Sequence, residues 1–134
     1  MLDYLRAQRL AVISTVNRDG APEGALIGVA VTDRFERIFD TTSATRKHVN
    51  LLVRPRVAMT FSGPGERTVQ YEGIAFPVSV GDPSDETYRE VYYAAWPDGR
   101  GRLRWPRLVY WRVEPRWARY SRFDGEPETV AFVW

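Results

Sequence analysis

The stretch FERIFDTTSATRKHVNLLVRPRVAMTFS, residues 35–62, holds a strand, a short helix and a second strand with almost no spare chain between them. Residues 35–41 alternate, with Phe35, Arg37 and Phe39 on one side and Glu36, Ile38 and Asp40 on the other, the period of a β-strand. Residues 45–53 carry Val49, Leu52 and Val53 on one helical stripe, which predicts the packed side of the helix, and stop before Pro55. Residues 56–62 return to a period of two, with Val57, Met59 and Phe61 on one face. At the first junction stands Thr41-Thr42-Ser43-Ala44-Thr45-Arg46-Lys47. Cations in the first turn of a helix oppose the helix dipole, so two of them after a hydroxyl-rich run need a compensating anion. Free backbone N–H groups at the same place make it a natural seat for a phosphate, with Arg46 as a planar fork and Lys47 as a point charge.

Working outward, strands dominate. Residues 2–9 read as a short helix and residues 10–17 as a β-branched strand closed by Asp19-Gly20. Residues 23–31 form a small, apolar run expected to be a strand buried on both faces. Residues 67–80 form a long strand, with a bend at Gly73 and an edge or kink at Pro77. Residues 84–93 are a helix with Ser84 as its N-cap, and residues 96–105 a Pro- and Gly-rich loop. Residues 108–114 and 117–123 read as two strands joined at Pro115, and residues 129–134 as an edge strand or a tail docked on a partner. Sequential hairpins with inserted helices favour a closed or partly closed antiparallel barrel.

Composition narrows the function. The 134 residues suit one domain, 1–134, and a formal net charge of +2 gives no case for nucleic acid. Zero cysteines remove disulfides, thiolate metal sites and cysteine nucleophiles. The one histidine, His48, cannot build a metal site, so no metal is expected, and it reads as a capping or surface residue. No secretory signal and no apolar run long enough for a bilayer point to a soluble cytoplasmic protein without membrane partners.

Particular motifs then align with a known family. Gly20-Ala21-Pro22 ahead of the 25–30 strand, Phe39-Asp40-Thr41, Thr45-Arg46-Lys47, Arg54-Pro55-Arg56-Val57 and Arg67-Thr68-Val69 leading to Gly73 resemble the FMN-binding split-barrel family typified by pyridoxamine 5′-phosphate oxidase. Leu108-Val109-Tyr110-Trp111 and Arg122-Phe123 extend the resemblance towards the C-terminus. It implies a mainly β fold, a small antiparallel split β-barrel with two or three peripheral helices, working as a homodimer with FMN between subunits. It further implies a flavin-dependent oxidoreductase acting on a small molecule. By the same resemblance Arg46 and Lys47 hold the cofactor phosphate, with Thr41 and Thr45 assisting and Asp40 beside them. Leu26, Ile27, Gly28, Thr68 and Gln70 meet the ring, and Trp111 reaches it from the partner subunit.

The departures are equally informative. Ala25 and Ala30 stand where the oxidase has Arg and Lys on its flavin strand, and the oxidase's C-terminal Arg-x-His pair is missing. A true pyridoxamine phosphate oxidase is therefore not expected. A deazaflavin-dependent reductase and a noncatalytic flavin- or heme-binding module remain open as alternatives. Arg100, Arg102, Arg104 and Arg107 around Trp105 read first as a solvated loop, with a single-stranded nucleic-acid surface as the rival.

Overall fold

Gly20, at φ +85°, closes the turn that Asp19-Gly20 predicts and folds β1 (Leu10–Val16) back onto β2 (Pro22–Gly28). Asn17 fastens the turn, its Oδ1 accepting from the amides of Asp19 and Ala21. The chain then adds β3 (Ala30–Val31), β4 (Arg37–Thr42), β5 (Arg56–Gly63), β6 (Arg67–Val78), β7 (Leu108–Ser121) and β8 (Glu128–Ala131). In the computed structural model, which describes residues 1–133, these strands form one antiparallel sheet in the order β2-β1-β5-β6-β7-β4-β3, with β8 paired to β7. The sheet curls into a split half-barrel. Helices α1 (Leu2–Ala7), α2 (Arg46–Val53) and α3 (Pro83–Ala95) and a 3-10 segment (Pro97–Arg104) lie around it.

The concave face closes over Ile13, Met59, Phe61, Val69, Tyr71, Trp111 and Val113. A second, smaller core of Ile38, Val78, Tyr92, Tyr93 and Tyr110 sits under α3. Strand β4 lies between the two: Phe39 points into one core and Ile38 into the other, so its alternation leaves no solvent face.

Several expectations are corrected. The apolar run 23–31 is not one strand buried on both sides; it breaks at Val29 into β2 and β3, at opposite ends of the sheet. Strand β2 is an edge, with Leu26 on its outer face 68% exposed. The predicted stripe of α2 also faces outward: Val49, Leu52 and Val53 are exposed, and Asn50 and Leu51 are buried instead. Asn50 Nδ2 donates to Thr15 Oγ1 (3.0 Å) and Glu23 Oε1 (2.8 Å), and this polar anchor fixes which side of the helix meets the barrel.

Helix α3 starts earlier than read, with Asp82 as N-cap accepting from the Ser84 amide and Pro83 in the first turn, where its missing N–H costs nothing. The 96–105 loop is largely 3-10 helix. The two strands expected around Pro115 are one continuous β7, whose pairing with β6 shifts register between Glu72 and Gly73. Gly73 is the bend: a Cβ there would lie 2.4 Å from the Glu114 carbonyl oxygen. In the tail, residues 128–131 add the expected strand, while Trp134 lies outside the described residues.

Candidate cofactor site

The hydroxyl–cation run sits where β4 ends and α2 begins. Thr45 is the N-cap: its Oγ1 accepts from the His48 amide (3.4 Å) and donates to the Thr42 carbonyl (3.0 Å). Thr41 Oγ1 lies 3.0 Å from Thr45 Oγ1, and since Thr45 has already spent its single proton, Thr41 is the donor between them. Both hydroxyl protons thus serve the turn. The donors left for an anion are the Arg46 and Lys47 amides, which have no helical carbonyl to reach, and the two cations.

Those cations are placed differently. The Arg46 side chain is mostly exposed and its Nη1 lies 3.0 Å from Glu23 Oε2. Lys47 is half-buried, and among the described residues its ammonium has no hydrogen bond or ion pair. Burial pushes its pKa down while the nearby Asp40 charge pulls it back. A small cavity of about 120 Å3 opens between this helix start and the β1–β2 hairpin, bounded by Thr45, Arg46 and Lys47 on one side and Thr15, Glu23 and Ala25 on the other.

Two residues here carry no signal in the sequence, Glu23 in the cavity wall and Asn50 behind it. Glu23 projects into the cavity, its carboxylate accepting from Asn50 (2.8 Å), Arg46 (3.0 Å) and Asn17 (3.4 Å). The Asn50 hydrogen bond first, and the Asn17 bond and Arg46 charge after it, hold that carboxyl below its ordinary pKa. Asn50 lies on the same helix, one turn after Arg46, and ties the cavity to Thr15 on β1.

Asp40 has a structural engagement. It accepts from Tyr92 Oη (3.0 Å) and Arg102 Nε (2.9 Å), and Arg102 also reaches Asp98 (2.7 Å). Arg100 is paired with Glu90 (2.6 Å). Two of the four arginines in that segment are therefore committed to intramolecular partners, which breaks up the basic stripe the nucleic-acid rival requires.

The ring-side candidates do not join the phosphate-side candidates within one chain. Leu26 pairs with Val12, Val12 with Thr60, and Thr60 with Gln70, so these side chains share one row on the convex face, and Thr68 lies on the same face of β6. Ile13, Thr15 and Ala25, which line the cavity, belong to the concave face. Ile27 is buried in the main core. Gly28 is filled from within: a Cβ there would lie 2.8 Å from Trp96, whose Nε1 donates to the Val29 carbonyl (3.0 Å) under the Arg9 guanidinium. Trp111 is buried in its own protomer, and its Nε1 donates to His48 Nδ1 at 3.1 Å. His48 is therefore a partner of the core rather than a surface bystander.

With this geometry in view, comparison with known proteins gives the class. The family model described as pyridoxamine 5′-phosphate oxidase matches residues 1–122, and the chain belongs to that family. No curated protein sequence matches it. Among solved structures, a heme-binding protein of Mycobacterium smegmatis superposes with TM-score 0.82 at 14% identity, over 95% of this chain and 55% of that one. The heme storage protein HutZ of Vibrio cholerae gives 0.75 at 13% identity, over 85% and 87%. General Stress Protein 26 of Bacillus anthracis gives 0.74 at 22% identity, over 98% and 95%. These likenesses are of fold. The chain spans only about half the length of the mycobacterial protein. No helix among the described residues is long and apolar enough to cross a membrane.

Proposed function

We propose that this chain is an FMN-dependent oxidoreductase whose cofactor phosphate sits at the start of α2. The carrying observation is the cavity lined by Thr45, Arg46 and Lys47 at a helix start whose Arg46 and Lys47 amides have no helical carbonyl to reach, within a family named for a phosphate-bearing substrate. The residues fit a phosphate: Lys47 is half-buried, has no hydrogen bond or ion pair among the described residues, and is only partly offset by the nearby Asp40 charge, so an anion there is favourable. When bound, FMN supplies hydride chemistry at its ring. The chain's own residues bind and orient. Lys47 and Arg46 neutralise the phosphate, the Thr41–Thr45 pair shapes the helix start, and Asn50 locks that helix to β1. Leu26, Thr68 and Gln70 on the convex face would meet the ring where a second copy covers that face, which makes the functional unit a homodimer.

The names of the structural neighbours raise heme as a second reading, and His48 argues against histidine ligation. An indole N–H only donates, so His48 Nδ1 must hold a lone pair towards Trp111. The neutral ring then carries its proton on Nε2, leaving neither nitrogen to coordinate iron. A deazaflavin cofactor would use the same helix start.

The test is uptake of FMN, followed by quenching of its fluorescence and by the visible spectrum of the loaded protein. Wild type should bind FMN. Arg46→Ala with Lys47→Ala should weaken binding at least a hundredfold while the far-ultraviolet circular dichroism is unchanged, two charge-assisted contacts being lost. Unaltered affinity in the double variant would place the phosphate elsewhere, and a Soret band on adding hemin with no response to FMN would favour heme.

A further inference from the structure

Resting on that reading, we infer that Glu23 is an internal stand-in for the cofactor phosphate and sets how tightly the phosphate is held. Its carboxylate lines the same cavity as Arg46 and Lys47, takes the Arg46 guanidinium at 3.0 Å, and is fixed from behind by Asn50 at 2.8 Å and Asn17 at 3.4 Å. The Glu23 side chain is largely buried and that of Arg46 largely exposed, so in this pair the carboxylate is the fixed partner and the guanidinium the mobile one. An arriving phosphate must therefore draw Arg46 off Glu23, or share it, with a second negative charge at the wall of its seat. Two like charges confined to one cavity repel on the scale of the contacts that hold the ligand.

The arrangement makes chemical sense of an otherwise adverse residue. Without ligand, two cations at a helix N-terminus would oppose the dipole; Glu23 neutralises one of them and keeps the helix start intact. With ligand, the same carboxylate lowers affinity, so the cofactor is held reversibly. Glu23 lines the cavity beside Arg46 and Lys47, and acts as a specificity residue for the anionic end alone.

The experiment compares FMN with riboflavin, which lacks the phosphate, by fluorescence-quenching titration of wild type and Glu23→Gln. Glutamine keeps an oxygen for Asn50 Nδ2, puts an amide NH2 in place of the oxygen that takes Arg46, and removes the charge. The Kd for FMN should fall about three- to tenfold, a typical size for one nearby charge, while the Kd for riboflavin stays the same. Glu23→Ser is a second neutral variant, expected to move FMN in the same direction should glutamine disturb folding as judged by thermal melts. An FMN affinity that is unchanged or weaker in the neutral variants overturns the stand-in role, as does an equal gain for riboflavin. If wild type and both variants bind neither flavin, the cofactor reading itself fails, and the role of Glu23 fails with it.

Discussion

At the scale of single residues, Arg37 imposes a cost on the barrel. It is fully buried on β4; among the described residues its Nε and Nη1 have no hydrogen-bond partner, and Nη2 makes only a 3.5 Å contact to the Gln8 carbonyl. The guanidinium lies 4.6 Å from the centroid of Phe61, and burial pushes its pKa down to about 10, so it is still charged at neutral pH. Unpaired buried donors cost more than one cation–π contact returns. Arg37→Met, similar in length and without the charge, is expected to raise stability by about 1–3 kcal/mol, a few degrees in Tm. A thermal melt at or below the wild-type Tm would show that the Phe61 and Gln8 contacts outweigh the orphaned donors.

His48 gives a pH dependence. Burial lowers its pKa below the ordinary histidine value, and the Trp111 hydrogen bond requires the neutral ring. The unfolded chain then binds a proton at higher pH than the folded one. The stabilisation is fully present above about pH 6.5 and is lost as pH falls through the folded value. Melts from pH 7.5 to 5 should show Tm declining in wild type, and less steeply in Trp111→Phe, where no donor demands the lone pair. Identical slopes would remove His48 from the account. None of this was legible in the sequence. Trp111 and His48 are 63 residues apart, and Glu23 and Asn50 27 apart, so only the fold brings them together. The local features were legible: the hydroxyl-rich run at the helix start, and the two cations that follow it.

At the scale of elements, period and punctuation located the strands and helices but not always the face they bury. The 56–62 alternation correctly put Val57, Met59 and Phe61 on one face, and that face is buried because β5 is a central strand covered on its concave side. The same logic failed on α2, where Asn50 anchors the helix through Thr15 and Glu23 and turns the apolar stripe out. It also failed at Pro115, since β7 runs on through a register shift opposite Gly73 instead of breaking. That junction is sharply testable. In Gly73→Ala the new methyl would meet the Glu114 carbonyl at 2.4 Å and Val113 Cγ1 at 2.6 Å. Backbone cannot yield as a flexible side chain can, so a loss of about 2 kcal/mol or more is expected. Chemical denaturation would measure it; a midpoint within error of wild type would mean the strand pair shifts freely.

At the scale of the whole molecule, the apolar surface is in the wrong place for a lone protomer. Leu10, Val12 and Leu26 are exposed on the convex face of β1 and β2, with Val12 and Leu26 directly opposite each other in register. Val49, Leu52 and Val53 are exposed on α2. Large apolar side chains gathered on an open sheet edge invite pairing, and monomeric proteins blunt such edges with charge. The convex row also carries Gln70, a ring-side candidate on the face of the sheet opposite the phosphate cavity. A two-fold pairing that lays the convex row of one copy against the helix start of the other would hide the leucine–valine patch and complete the cofactor site in one step, and a symmetric interface doubles any single change. Val12→Glu with Leu26→Glu would then place four carboxylates in that interface. Sedimentation velocity should show wild type as a dimer and the variant as a monomer with unaltered circular dichroism. The variant's FMN affinity should drop with the dimer, although Arg46 and Lys47 are untouched. Should the variant sediment as wild type, the convex face is not the contact, and ring and phosphate must both be held by one chain.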